Sequence, residues 1–502
     1  MRSQDLLYRI FTSRHHWLSA MATLVLCAAS AIGVGYLLAE FGALIAGAGL
    51  VALFLSMWML RDVEIAYWGV ISVVCLLPFA SFPFSIGFTP TLLDAALGAL
   101  FLIWALQIAT GDQQKFVGTS LGLPVAVFML LAVGSFVFGL SHAPLTSFVL
   151  RHFAEVMLSV ALFFLVVNTV RDVERLRRVV RALLLCAFAA AALGVLLYVI
   201  ADQISDVFVI RVLSALGRLG YPAGPGVLRY IREDPELAMR ATSTSVDPNV
   251  LGSLLNLTLG IGVPQLFARR PLIRRRYLAP ILGVMGLCLV LTISRGSMVG
   301  VGIALAVIAT LRYRKLWLLL LVGLALVLVL PQTQDIVTHF AEGFQIADLA
   351  TQMRMGEYKD AFILIGRYPW LGVGFGGSPD IDTYIGVANV YLLIAEQMGL
   401  VGLASFLVVM IVLFTRFWFT RELAAADPES EPLLWGLHAG LVGALVGGIV
   451  DHYFFNLNFH HSVTLFWLAV GLATVATEIV RQRAENRDSK SGEGDRDDER
   501  HL

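Results

Sequence analysis

The strongest constraint on this chain is a succession of apolar runs, each close to membrane-crossing length, that begins at residue 17 and ends near residue 479. A helix needs about 20 apolar residues to cross the hydrocarbon of a bilayer. On that measure spans are expected near 17–39, 41–60, 65–80, 91–108, 123–140, 153–170, 182–201, 250–267, 278–294, 297–311, 316–330, 389–415, 433–450 and 462–479. Lipid offers no hydrogen-bond partner to exposed backbone, so such runs must be helical. The expected fold class is all-α: a polytopic transmembrane helix bundle of about fourteen spans, with a large helical extracytoplasmic loop. Composition agrees, because 58% hydrophobic and 14% charged residues leave too little polar surface to cover a soluble globule of 502 residues.

Sidedness follows from the positive charges, since cytoplasmic loops collect Lys and Arg. With the N-terminus inside, every even-numbered span should leave into a basic joint. Those joints carry Arg61; Lys115; Arg171, Arg175, Arg177, Arg178 and Arg181; Arg269, Arg270, Arg274, Arg275 and Arg276; Arg312, Arg314 and Lys315; Arg416 and Arg421; and then the tail. Agreement at seven successive places puts both termini in the cytoplasm of a multi-pass protein of the inner or plasma membrane.

The chain then divides into a cytoplasmic N-terminal tail (1–16), N-terminal membrane helices (17–201) and a first extracytoplasmic loop (202–249). Central membrane helices (250–330), a large extracytoplasmic loop (331–388), C-terminal membrane helices (389–479) and a disordered cytoplasmic tail (480–502) follow. Arg2, Arg9 and Arg14 resemble the start of a signal peptide, but the run behind them is too long, so it is read as a retained first helix. The tail is rich in mixed charge and cannot bury enough surface to fold. Cys27, Cys75, Cys186 and Cys288 all fall in apolar runs and read as small core residues. No metal signature, cofactor motif or nucleic-acid partner is expected; no Lys-Ser/Thr follows the glycines of Trp370 to Gly377, so these suggest a tight turn or close backbone approach, not nucleotide binding.

Ten cations fall on the expected outer face, against the positive-inside bias: Arg151, Arg211, Arg218, Arg229, Arg232, Arg240, Arg295, Arg354, Lys359 and Arg367. Arg211 and Arg218 sit in an amphipathic stretch that fits the headgroup layer. Arg295, in Ile-Ser-Arg-Gly at the break between two spans, must instead be paired or face a polar cavity. A lipid phosphate or diphosphate is the anion that suits a planar guanidinium there. Arg240 opens Arg-Ala-Thr-Ser-Thr-Ser-Val-Asp-Pro-Asn (Arg240 to Asn249), in which Asp247 or Asn249 can cap the next helix and Pro248 fits its first turn.

Taken together, that segment, the Ser-Arg-Gly break and the later pattern Arg354-x3-Tyr358, Pro369-Trp-Leu-Gly-Val-Gly, Asn389-x-Tyr391-Leu, Glu396-x2-Gly399 and Gly402 resemble the O-antigen ligase and polymerase superfamily. Its members are integral membrane glycosyltransferases of the GT-C kind, and the resemblance covers roughly the last three hundred residues. It implies a glycosyltransferase that transfers or polymerises a glycan from a polyprenyl diphosphate carrier at the extracytoplasmic face, during cell-surface polysaccharide assembly. Partners would be a polyprenyl diphosphate-linked glycan such as one on undecaprenyl diphosphate, membrane lipid, and a glycan or lipid acceptor, with no cofactor. Arg240 and Arg295 would hold the diphosphate, Arg354 and Arg367 would meet donor or sugar, and Asn389, Tyr391 and Glu396 would join the substrate site.

The departure is at Ala388, where the family has the histidine usually cast as general base. Another group then serves as base, or the transfer needs little base help, or the catalysis has lapsed. His452 leads the replacement candidates, followed by Asp382, although the Asp451 to His461 stretch also reads as an aromatic interfacial belt. Glu396 reads equally as a residue favouring the positive end of a helix dipole. The alternatives are a catalytically lapsed binder or export component for lipid-linked glycan, and a transporter.

Overall fold

The structure is a computed structural model that describes residues 63–85, 87–110, 116–329, 334, 349–378 and 382–498. The expected spans 17–39 and 41–60, and most of the loop between 330 and 348, lie outside the described residues. From Ala66 to Leu502 the chain is one unit. Its described helices, in chain order, are α1 (Val63–Leu76), α2 (Leu92–Thr110), α3 (Gly122–Gly139), α4 (Ser147–Thr169), α5 (Val173–Gln203), α6 (Asp206–Ser214) and α7 (Pro248–Gly262). They continue as α8 (Arg275–Thr292), α9 (Arg295–Leu311), α10 (Leu316–Val329), α11 (Leu349–Arg367), α12 (Val390–Ala424), α13 (Glu431–Gly447) and α14 (His460–Asp498). A two-stranded antiparallel ribbon, β1 (Arg229–Tyr230) and β2 (Met239–Arg240), pairs Arg229 with Arg240. The fold is all-α.

Among the described residues seven helical stretches are long and apolar enough to cross a membrane: α2, α3, α4, α5, α8, α12 and Leu457–Arg487. Helices α1, α9 and α10 are apolar but shorter. Large side chains face outward, with Leu318 70% and Leu123 74% exposed, which suits contact with lipid rather than water. The apolar part of α14 is the reverse: 94% of it is buried, so it is a central helix. Helices α7 and α13 approach at a glycine seam, where a Cβ on Gly260 would stand 2.6 Å from the Gly440 Cα; small residues let membrane helices pack backbone to backbone.

Two boundaries differ from the sequence reading. Arg175, Arg177, Arg178 and Arg181 lie on α5 itself, because Asp172 accepts from the Arg175 amide at 2.7 Å and starts the helix there. Arg175 and Arg177 then donate to the Thr169 and Arg270 carbonyls. At the other end, the expected structureless tail begins as a continuation of α14. Arg483 pairs with Asp427 at 2.9 Å and Arg487 donates to the Ala426 carbonyl, tying the helix to the turn between α12 and α13.

Helix α12 is broken at Gly399 (φ 68°, ψ −176°). A break inside lipid would strand backbone carbonyls. Here the chain after α11 covers it: the Val373 and Gly374 amides donate to the Glu396 and Gln397 carbonyls at 2.8 and 3.0 Å, and the Leu400 amide donates to Pro369. This backbone-on-backbone approach is why the stretch from Trp370 to Gly377 is dense in glycine. At Gly372 (φ +68°) a Cβ would run into the Glu396 and Gln397 backbone.

Candidate functional site

Upstream of α7 the chain from β2 is held in an unusual conformation, with Ser243 (φ 52°) and Val246 (φ 62°) both left-handed. Such backbone is costly for a β-branched residue and persists only where its surroundings fix it. Asp247 caps α7, accepting from the Asn249 and Val250 amides at 2.7 and 3.2 Å, with Pro248 in the first turn. The Asn249 side chain is thereby left to Arg240, which donates to it at 2.7 Å and to the Thr292 carbonyl at 2.8 Å. Arg240 is thus half-buried and aimed along the N-terminus of α7.

Arg295 arrives from the other side. Thr292 ends α8, Ile293 takes a left-handed turn (φ 52°), and Arg295 is the first residue of α9. The turn therefore lies at Ile293. Gly296 has a different role. A Cβ there would stand 2.5 Å from Val450 Cγ2 and 2.9 Å from Asp451 Oδ2, so its bare backbone makes room for the turn after α13.

Asp451 feels the charge of three of the expected arginines. Arg354, on α11, approaches it at 3.6 Å, and Arg240 and Arg295 both act on the same carboxyl through space. The Asp451 side chain is 13% exposed. Burial first, and then the charge of Asp247, push its carboxyl up to about 7 against the pull of Arg354, Arg240 and Arg295. Tyr453, also buried, donates to Asp247 at 3.3 Å. Burial opposes the charge on Arg240, while Asp247, Tyr453 and Asp451 favour it.

Beside this cluster His452 lies against the Val387 carbonyl, with Nδ1 at 3.1 Å. A carbonyl can only accept, so Nδ1 carries the proton and the neutral ring presents Nε2 as its bare nitrogen. Burial, the largest cause, lowers the pKa of His452, and Arg354 adds to that. Val387 is the residue before Ala388, so the imidazole leading the replacement candidates is delivered next to the departed histidine's position from a different loop. The Ala388 amide itself donates to Glu357 at 3.0 Å, one turn along α11 from Arg354.

The start of α12 is pinned to the end of α13. Asn389 caps α12 by accepting from Tyr391 and Leu392, and its Nδ2 donates to the Ile449 carbonyl at 2.7 Å. The Tyr391 hydroxyl donates to Leu445 at 2.8 Å. Both residues thus fix the backbone under the site. Glu396 is 1% exposed and lies within α12 beyond its first turn, so the helix-dipole reading does not apply. The Gly386 and Val387 amides face its carboxyl, but neither oxygen accepts a hydrogen bond of normal geometry.

Arg367 and Asp382 are both exposed. Arg367 ends α11 and is exposed, thirteen residues beyond Arg354 and so about 20 Å along the helix axis. Asp382 is exposed at the start of the segment leading to Ala388. Sequence reasoning passed over Glu357. The aromatic run at Tyr453 read as an interfacial belt, but Tyr453, Phe454 and Phe455 are all buried.

A search of curated proteins returns no match to this chain. Residues 280–407 match the model of the O-antigen ligase family, a stretch that includes Arg295, Arg354, Ala388 and Glu396. The chain carries an O-antigen ligase domain over those residues.

Proposed function

We propose that this protein is a membrane glycosyltransferase that transfers or polymerises a glycan from a polyprenyl diphosphate carrier at the extracytoplasmic face. The observation that carries this reading is the ion pair of Arg354 with Asp451, on whose carboxyl the charges of Arg240 and Arg295 also act. Arg354, Arg240 and Arg295, acting on Asp451 with Asp247 nearby, offer a receptor for a larger anion with more acceptor oxygens. A diphosphate entering from the lipid takes the place of the Asp451 carboxyl, and the arginines stabilise the charge that grows on it as it leaves. The acceptor hydroxyl attacks the anomeric carbon, the bond from that carbon to the phosphate oxygen breaks, and the hydroxyl proton passes to His452 Nε2. Asp382, exposed at the start of the segment leading to Ala388, is the weaker candidate for that proton. Asn389 and Tyr391 act by holding the backbone, Glu396 lies under the Gly386–Val387 segment, and Arg367 meets distal sugars.

The test is transfer from a lipid-linked glycan by purified protein. Arg295→Ala is expected to lose about 10²- to 10³-fold, as removal of one oxyanion donor does, while Arg367→Ala stays within a few-fold of wild type. Equal activity of wild type and Arg295→Ala would sink the assignment of that arginine.

A further inference from the structure

At the N-terminal end of α14, outside the arginine cluster, a second group of polar side chains is enclosed by three helices. Asp94 comes from the first turn of α2, His152 and Glu155 from α4, and His460 from the start of α14. Arg151 holds one edge of the two carboxylates, reaching Asp94 Oδ2 at 3.3 Å and Glu155 Oε1 at 2.7 Å. The other Glu155 oxygen is turned away from the arginine. Glu155 is 4% exposed, and its Oε2 and the His152 Nδ1 are both buried without a hydrogen-bond partner.

Those atoms nevertheless face one another. His152 Nδ1 lies 3.4 Å from Glu155 Oε2, and His460 Nδ1 lies 3.6 Å from the same oxygen. Ligand atoms of Asp94, Glu155 and His460 all fall within 4.8 Å of one another. In a tetrahedral zinc site with bonds of about 2.0–2.1 Å, neighbouring ligands stand roughly 3.3–3.4 Å apart. The two nitrogen-to-oxygen separations are thus close to an edge of that tetrahedron and too long for good hydrogen bonds.

We propose that Glu155, His460 and His152, with Asp94, bind a divalent first-row transition cation, zinc by ligand type and spacing. Imidazole and carboxylate together suit such ions better than calcium or magnesium, which take all-oxygen sets. Arg151 neutralises one of the two carboxylate charges and fixes Glu155 so that Oε2 is presented to the imidazoles. The bound ion joins α2, α4 and α14. No local sequence motif announces the site, because its ligands come from three separate helices.

The experiment uses the full-length protein in detergent, stripped by a chelator and then titrated with Zn²⁺ or Co²⁺. Wild type is expected to take up about one equivalent, to give the visible bands of tetrahedral cobalt, and to melt at a higher temperature when loaded. Glu155→Gln and His460→Gln are expected to bind at least roughly 100-fold more weakly, since even outer partners of metal ligands are worth about 10- to 100-fold. His152→Asn, at the rim with its side chain 17% exposed, keeps the test available where a buried substitution prevents folding. Wild type that takes up no cation, as an ion pair between histidine and Glu155 would require, overturns the proposal. So does binding that is equally tight in Glu155→Gln and His152→Asn.

Discussion

Gly296→Ala is a one-carbon change whose effect can be worked from the packing. The added methyl carbon would stand 2.5 Å from Val450 Cγ2 and 2.9 Å from Asp451 Oδ2. Carbon atoms pack best at about 3.5–4.0 Å, so Val450 must withdraw by roughly 1 Å. Overpacking of that kind costs about 1–3 kcal/mol. Val450 precedes Asp451 and His452, so the shift passes directly to the carboxyl on which the arginines act and to the imidazole on Val387. A misplacement of about 1 Å at a reacting centre can cost ~100-fold in rate. Glycan transfer is therefore expected to fall by that order, with a lower melting temperature. Gly302→Ala is the control on the same helix, because nothing lies within 4 Å of its Cβ position. It is expected to leave both readings near wild type. If Gly296→Ala transfers glycan and melts as wild type does, the close approach of α9 to the Asp451 turn is not what the site depends on.

Asp451→Asn tests the place-holding role of the carboxyl. Its pKa stands near 7, raised chiefly by burial, and an anionic diphosphate arriving beside it raises that value further. Binding then takes up a proton, so in wild type affinity for a polyprenyl diphosphate analogue rises as pH falls from the raised bound-state value toward about 7 and levels off below it. In Asp451→Asn the same titration is expected to be flat. Gly372→Ala disturbs the cover on the α12 break: it combines a left-handed φ, worth roughly 1–3 kcal/mol of strain, with a clash against the Glu396 and Gln397 backbone. Loss of folded protein from the membrane fraction and an earlier melt are expected, whereas normal yield and melting would show that the break is covered by something else.

The helical architecture was legible because apolar length is a local property, and α2, α3, α4, α5, α8, α9, α10, α12, α13 and α14 all start within about ten residues of an expected span. Arg240, Arg295 and Arg354 stood out because charge on the expected outer face breaks a local bias. The acid they act on did not. Asp451 feels their charge only because α13 returns beside α9, and Gly296 is bare only because of that return. Tyr391 and Asn389 matched a motif in sequence, but the carbonyls they bind belong to the end of α13. The glycines before Ser378 could be read as a close approach, but the Gly399 break that they cover is visible only in the folded chain. Likewise nothing in the sequence singles out Glu357, which α11 carries to the Ala388 amide.

The central claim is that His452, held on the Val387 carbonyl, does the work of the histidine missing at Ala388. The most direct measurement is the initial rate of transfer from a lipid-linked glycan for His452→Ala, with and without Ala388→His. The account predicts a loss of about 10²- to 10⁴-fold in the single variant, the usual worth of a general base, and partial recovery when the histidine is restored at 388. Wild-type transfer by His452→Ala would contradict it.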